Sequence, residues 1–127
     1  MDEIDIIHAR GNQGELQKIS VEFSRRARYY SLVLLKKYPA DRSSITQMYR
    51  AATSVGANIR EAKYVESRRD FQHKLEVAEK EMGEFYYWIG LLASEPQIVV
   101  HSECTELLQL AQSVLKLLAT ISRSLKQ

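Results

Sequence analysis

A single cysteine, Cys104, leaves no partner for an intrachain disulfide, which excludes a disulfide-stapled scaffold. Proline occurs twice and glycine five times, always singly, so there is neither a low-complexity linker nor a glycine-rich loop of the kind that cradles phosphate. No apolar run approaches the roughly 20 residues of a membrane span. The opening stretch MDEIDIIHARGNQGE is acidic and has no apolar core of signal-peptide length. A cytoplasmic protein with no membrane partner is the expectation. Charge of one sign is missing too. Eighteen Lys and Arg stand against 16 Asp and Glu, a net charge of +2 that neither demands nor forbids nucleic acid.

What the chain does have is a helical period. At 127 residues, 45% hydrophobic and 27% charged, it suits one globular domain. Residues 1–14 mix both signs of charge with two glycines and keep no period, so they read as a flexible N-terminal arm ahead of a domain over 15–127. From there apolar residues recur in steps of three and four along four segments. The first runs from Glu15 to Tyr38, with Leu16, Phe23, Ala27, Tyr30 and Leu34 on one face. Pro39 ends it, and Asp41, Ser43 or Ser44 can cap the next. The second, Ser44 to Tyr64, aligns Ile45, Met48, Ala52, Val55, Ile59 and Ala62. Ser67 followed by Asp70 forms a capping-box variant that opens the third, where Phe71, Leu75, Ala78, Met82, Phe85, Ile89 and Leu92 share a face. The stretch SEPQ interrupts it. Ser102 can cap the fourth, which carries Leu107, Ala111, Val114, Leu118, Ile121 and Leu125. Four long helices with short connections predict an all-α, antiparallel up-and-down four-helix bundle.

The apolar faces are wider than a monomer needs. Val21, Leu32 and Leu35 on the first helix, and Leu108, Leu110, Leu115 and Leu117 on the fourth, widen the usual stripe of about 100° and predict a homo-oligomer. Gly83 and Gly90 share a face of the third helix. Either another helix approaches closely there or they are tolerated weak points.

Candidate chemistry is sparse. His73 and Glu76 supply one reversed His–Glu pair, where a di-metal bundle requires two Glu-x-x-His motifs. His101 and Cys104 do not make a four-ligand zinc site, and no feature marks Cys104 as an activated nucleophile with either histidine. Neither an enzyme nor a metal, cofactor or small-molecule substrate is expected. The suggestive feature is basic. Arg25, Arg26, Arg28, Lys36 and Lys37 lie on the first helix, where Lys18, Arg25 and Lys36 fall within about 20° of one another. Arg50, Arg60, Lys63, Arg68 and Arg69 follow. Long cationic donors along one surface are what phosphate contacts require. Glu15, Glu22, Glu61, Glu66 and Asp70 flank them, as on any solvated helix face.

The stretch from Tyr49 to Leu92 carries a more specific signal. Arg50, Ser54, Val55, Ala57, Asn58, Ile59, Glu61 and Ala62 are followed by Ser67, Asp70, Phe71, Lys74 and Leu75. Lys80, Glu81, Glu84, Tyr87 and Trp88 complete the pattern. In this register the chain resembles the small bacterial four-helix-bundle proteins that include the 23S rRNA intervening-sequence proteins, sometimes labelled ribosomal-protein-like. The Tyr38–Pro39 turn resembles theirs as well, whereas Gly83 departs from the larger or hydroxyl residues usual at that point. The resemblance implies a homopentameric ring without catalytic residues. It extends distantly to accessory variability proteins of diversity-generating retroelements, which bind reverse transcriptase and nucleic acid through a basic surface. The expected function is oligomeric, non-enzymatic binding of RNA or a nucleoprotein. The alternative is a protein–protein scaffold that presents Tyr86, Tyr87 or Trp88 and has no nucleic-acid role. The motif itself has a structural explanation: Gly56 and Ala57 let helices approach, and Asn58, Arg60 and Glu61 bridge to Ser67, Arg68 or Asp70 across the turn. Ligand binding by the same residues is the other reading.

Overall fold

The computed structural model describes residues 3–95 and 102–125, with side chains from 13 to 95 and from 103 to 125. Four helices follow in order: α1 (Glu3–Lys37), α2 (Arg42–Ala62), α3 (Arg68–Ala93) and α4 (Ser102–Leu125). A single 3₁₀ turn, Pro39–Asp41, joins α1 to α2. Each helix runs antiparallel to its chain neighbour. Gln17, near the start of the packed part of α1, donates to the Ile59 carbonyl in the last turn of α2, Lys74 in the early part of α3 meets Glu61 at the end of α2, and Arg68 at the start of α3 meets Leu125 at the end of α4. The α2–α3 seam is the most extensive, α1 packs on α2 and α4, and the α3–α4 seam is the thinnest.

The helix boundaries follow from local chemistry. Pro39 has no N–H to extend the ladder, so α1 closes with the Tyr38 N–H on the Leu34 carbonyl at 2.7 Å. Helix α2 begins at Arg42, two residues before the expected Ser44, and Asp41 stands at its N-cap without a side-chain cap bond. The 3₁₀ turn explains this: the Arg42 N–H donates to the Pro39 carbonyl, so a first-turn donor is satisfied by backbone and needs no side-chain cap. At α3 the expected cap is present, with the Asp70 N–H donating to Ser67 Oγ at 3.0 Å. Ser102 is the first residue of α4, and its side chain lies outside the described residues.

The backbone of residues 3–14, which keep no apolar period, is helical: α1 starts at Glu3 and runs without a break. Gly11 and Gly14 cost up to about 1 kcal/mol each against alanine, but neither is a proline, and adding residues to an existing helix needs no new nucleus. Aperiodic side chains say that a segment buries no continuous face. They do not say that its backbone stops being helical.

The core matches the periodic reading closely. Every residue assigned to the faces of α1, α2 and α4 is buried, as are those of α3 except Phe71, which is half-buried against the others. Phe23 and Phe85 meet edge to face across the middle, with centroids 5.0 Å apart. Ala51 and Cys104 join the core, and so do three serines, Ser20, Ser31 and Ser122.

Glycine has different roles along the chain. A Cβ on Gly56 would run into Ser24 Oγ, which would have to turn aside, and would meet the Ser20 carbonyl at an ordinary 3.7 Å, so Gly56 faces α1 directly. Ala57, expected to help, is exposed. Gly83 and Gly90 face open space, so no helix of this chain packs on them.

Candidate nucleic-acid interface

The ten cations suggested by the sequence do not form one patch. Gln17 lies opposite Ile59, so Arg60 sits level with the start of the packed part of α1. From Gln17 to Lys36 is roughly 28 Å of helix at about 1.5 Å per residue. Arg60, Lys63, Arg68 and Arg69 therefore occupy the end where α2 turns into α3, Lys36 and Lys37 occupy the opposite end, and Arg25, Arg26, Arg28 and Arg50 lie between them.

They also differ in what they touch. Arg26 bridges Glu22 at 3.3 Å and Glu106 at 2.9 Å, tying α1 to α4. Arg50 spans the α2–α3 seam to Glu84 and, at 3.5 Å, to Glu81, and its Nε donates to Gln47. Arg68 donates to the carbonyl of Leu125, which satisfies one of the orphan acceptors that end α4. Its charge is not neutralised by that bond. Arg25 is 4.0 Å from Glu22 and its side chain is 74% exposed, a loose pairing that a phosphate can displace. Arg28, Lys36, Lys37, Arg60 and Arg69 are exposed and have no ion pair among the described residues, while Lys63 lies 5.8 Å over the Tyr64 ring.

The motif residues from Ser54 to Trp88 resolve mostly into the seam between α2 and α3. Glu61 accepts from Lys74 at 2.7 Å, a pairing of two motif residues across the turn. The expected bridge from Asn58 and Arg60 to Ser67, Arg68 or Asp70 is not formed. Asn58 Nδ2 instead donates to the Ser54 carbonyl one turn back in its own helix, at 2.8 Å. Its side chain is too short to cross the turn, whereas four residues back is within reach. Trp88 is half-buried and meets Tyr87 edge to face at 5.0 Å.

Arg50, Glu81 and Glu84 form a charged cluster across the α2–α3 seam. Burial, and then the hydrogen bond and charge of Glu84, push the Glu81 carboxyl above its usual range. The hydrogen bond from Arg50 holds Glu84 below it. A buried phenol behaves similarly. Desolvation, and then the Cys104 thiol, push the Tyr30 hydroxyl well above the ordinary phenol range. Cys104 is thus a buried neighbour of Tyr30, not of His73, which is exposed on α3; His101 lies outside the described residues.

Sequence reasoning missed two polar ties and one orphan. Gln17 reaches the Ile59 carbonyl at 2.6 Å, Ser122 donates to Glu79 at 2.7 Å across α3 and α4, and Ser31 is buried without a hydrogen-bond partner. A signal existed for the serines: Ser20, Ser31 and Ser122 each stand four residues beyond a core position, on the apolar stripe.

The geometry of a bundle whose α2–α3 seam is closed by motif residues can now be set beside known proteins. The family model described as 23S rRNA-intervening sequence protein matches residues 15–120. The chain belongs to this family. Among solved structures, a crystal structure of a protein of unknown function from the S23 ribosomal protein family of Bacteroides thetaiotaomicron is similar at 29% identity. The match covers 88% of this chain and 98% of that one, with a TM-score of 0.79. No curated protein matches. The family residues therefore begin where α1 starts its packed face, at Glu15, and no helix among the described residues is long and apolar enough to cross a membrane.

Proposed function

We propose that the chain is a non-enzymatic, homo-oligomeric protein, a pentamer by family resemblance, that binds RNA or a nucleoprotein through surface cations. The observation that carries this reading is the set of exposed cations with no carboxylate partner among the described residues at the α2–α3 end: Arg60, Lys63 and Arg69, with Arg68 beside them. Glu61 is occupied by Lys74, which leaves Glu15, Glu66 and Asp70 as acids at this level among the described residues, and Asp70 also favours the positive end of the α3 dipole. Repetition of that end around a symmetric assembly would multiply a modest local charge.

The test is charge reversal at each group of cations. The triple change Arg60→Glu, Lys63→Glu, Arg69→Glu is expected to weaken binding of a large-subunit rRNA fragment by about tenfold or more at low salt and to flatten the salt dependence by roughly two to three phosphate contacts. Unchanged affinity there, and again with Arg25→Glu and Arg28→Glu, would remove the RNA reading. The second reading, a protein scaffold, has one observation in its favour: Tyr87 is 63% exposed beside Trp88 on α3. Partners captured from cell extract that persist after nuclease treatment would support it.

A further inference from the structure

The outer seam of α1 and α2 holds a cleft of about 240 Å³ lined by Arg28, Ser31, Leu32, Leu35, Ile45, Thr46 and Tyr49. Its walls are apolar, and Leu32, half exposed at 51%, leaves part of them uncovered. Two polar features stand out. Ser31, only 3% exposed, lines the cleft with a hydroxyl that has no hydrogen-bond partner. Arg28 stands at the rim with its guanidinium free of any ion pair among the described residues. Helical spacing places Lys36 one turn beyond Leu32 on α1 and Arg42 one turn before Thr46 on α2, both exposed and neither ion-paired. No carboxylate lines the cleft. The nearest acid in sequence on that side, Asp41, is half-buried in the turn.

We propose that this cleft is a docking site for an acidic peptide segment of a partner protein, which inserts one or two large apolar side chains and sets Asp or Glu against Arg28, Lys36 and Arg42. At about 240 Å³ the cleft is smaller than the roughly 300–1,000 Å³ usual for small organic ligands. An anchoring side chain fits, and charge complementarity around an apolar centre is the usual arrangement of such anchors. The site is separate from the basic α2–α3 end and from Tyr87; it shares Arg28 and Lys36 with the cations that RNA could contact, so competition by RNA distinguishes the two uses.

The test uses the full chain and a random-peptide display library. Enriched peptides are expected to pair Leu, Phe or Trp with two or more Asp or Glu. A labelled peptide from that pool should lose at least about tenfold in affinity with Leu32→Ser and again with Arg28→Glu, two exposed positions whose change leaves the core intact. Charge-swapped peptides carrying Lys should regain binding to Arg28→Glu. Four results would overturn the proposal: no enrichment, peptides without acidic bias, binding that ignores both substitutions, or displacement of the peptide by an RNA oligonucleotide. A fall in the mass of the protein alone with Leu32→Ser would also overturn it, by assigning the cleft to a second copy of this chain.

Discussion

Glu81 shows how one carboxyl can be held against its own preference. It lies between Arg50 and Glu84, with its Oε2 buried and lacking a hydrogen bond, although Arg50 is 3.5 Å away. The two glutamates oppose each other in their linkage to folding. Glu84 is lowered, so its contribution is present above the ordinary glutamate pKa and is lost as pH falls through its folded value. Glu81 is raised, so the folded state holds its proton longer than the unfolded chain does, and stability falls as pH rises through that window. The change Glu81→Gln keeps the shape, can donate to Glu84 and removes the repulsion. Thermal melts should show the variant more stable than the parent at pH 7, by roughly 0.5 kcal/mol or a degree or two, with the difference vanishing near pH 4. A destabilised variant at pH 7 would mean that Arg50 needs both carboxylates. Arg50, Glu81 and Glu84 were visible as motif residues, but sequence spacing within two separate helices does not say that they meet.

The third helix presents a different problem at the scale of the element. Gly83 and Gly90 are exposed, seven residues apart, and a Cβ on either would touch nothing. An exposed glycine in a helix interior costs up to about 1 kcal/mol against alanine, so the isolated chain carries two weak points on one face of α3. The double change Gly83→Ala, Gly90→Ala is expected to raise the stability of the chain by roughly 1–2 kcal/mol, as read by chemical denaturation. A loss of stability, or a drop in assembly mass, would show that another molecule lies close on those glycines. Gly56 is the contrasting case, because a Cβ there would meet the Ser24 hydroxyl of α1, which would have to turn aside. All three look alike in sequence. Only the neighbour across the seam distinguishes a glycine that faces another helix from one that faces open space.

Over the whole molecule, apolar width and charge placement make separate predictions. Apart from the Leu32–Leu35 cleft, Leu108, Leu110, Leu115 and Leu117 are only partly covered by the chain's own core, and Tyr29, Tyr64, Tyr87 and Leu91 are exposed. That much uncovered apolar surface on a small protein calls for association. Light scattering on the full chain should give a mass near five chains, increasing with added large-subunit rRNA fragments at low salt and returning to the protein mass at high salt. A stable oligomer indifferent to RNA at both salts would favour the scaffold, and a monomer would contradict the reading of the apolar width. The positions of the charges matter as much as their number. Arg26 and Arg50 are held by carboxylates on other helices, so reversing them should disturb packing before it disturbs any partner.

Helix type, order and inward faces were determined by the sequence alone, because burial on a helix repeats every 3.6 residues and that period is written directly in Leu16, Phe23, Ala27 and their counterparts. So was the Ser67 cap, a contact between residues three apart. Tertiary structure decided the rest. The partners of Arg26, Arg50, Arg68 and Gln17 on other helices lie 31 to 80 residues away. The cations separated into two ends and a middle because antiparallel helices return the chain to levels that linear spacing does not record. Ser31 and the cleft it lines exist only where α1 and α2 meet, since a cavity belongs to two surfaces and to neither sequence segment alone.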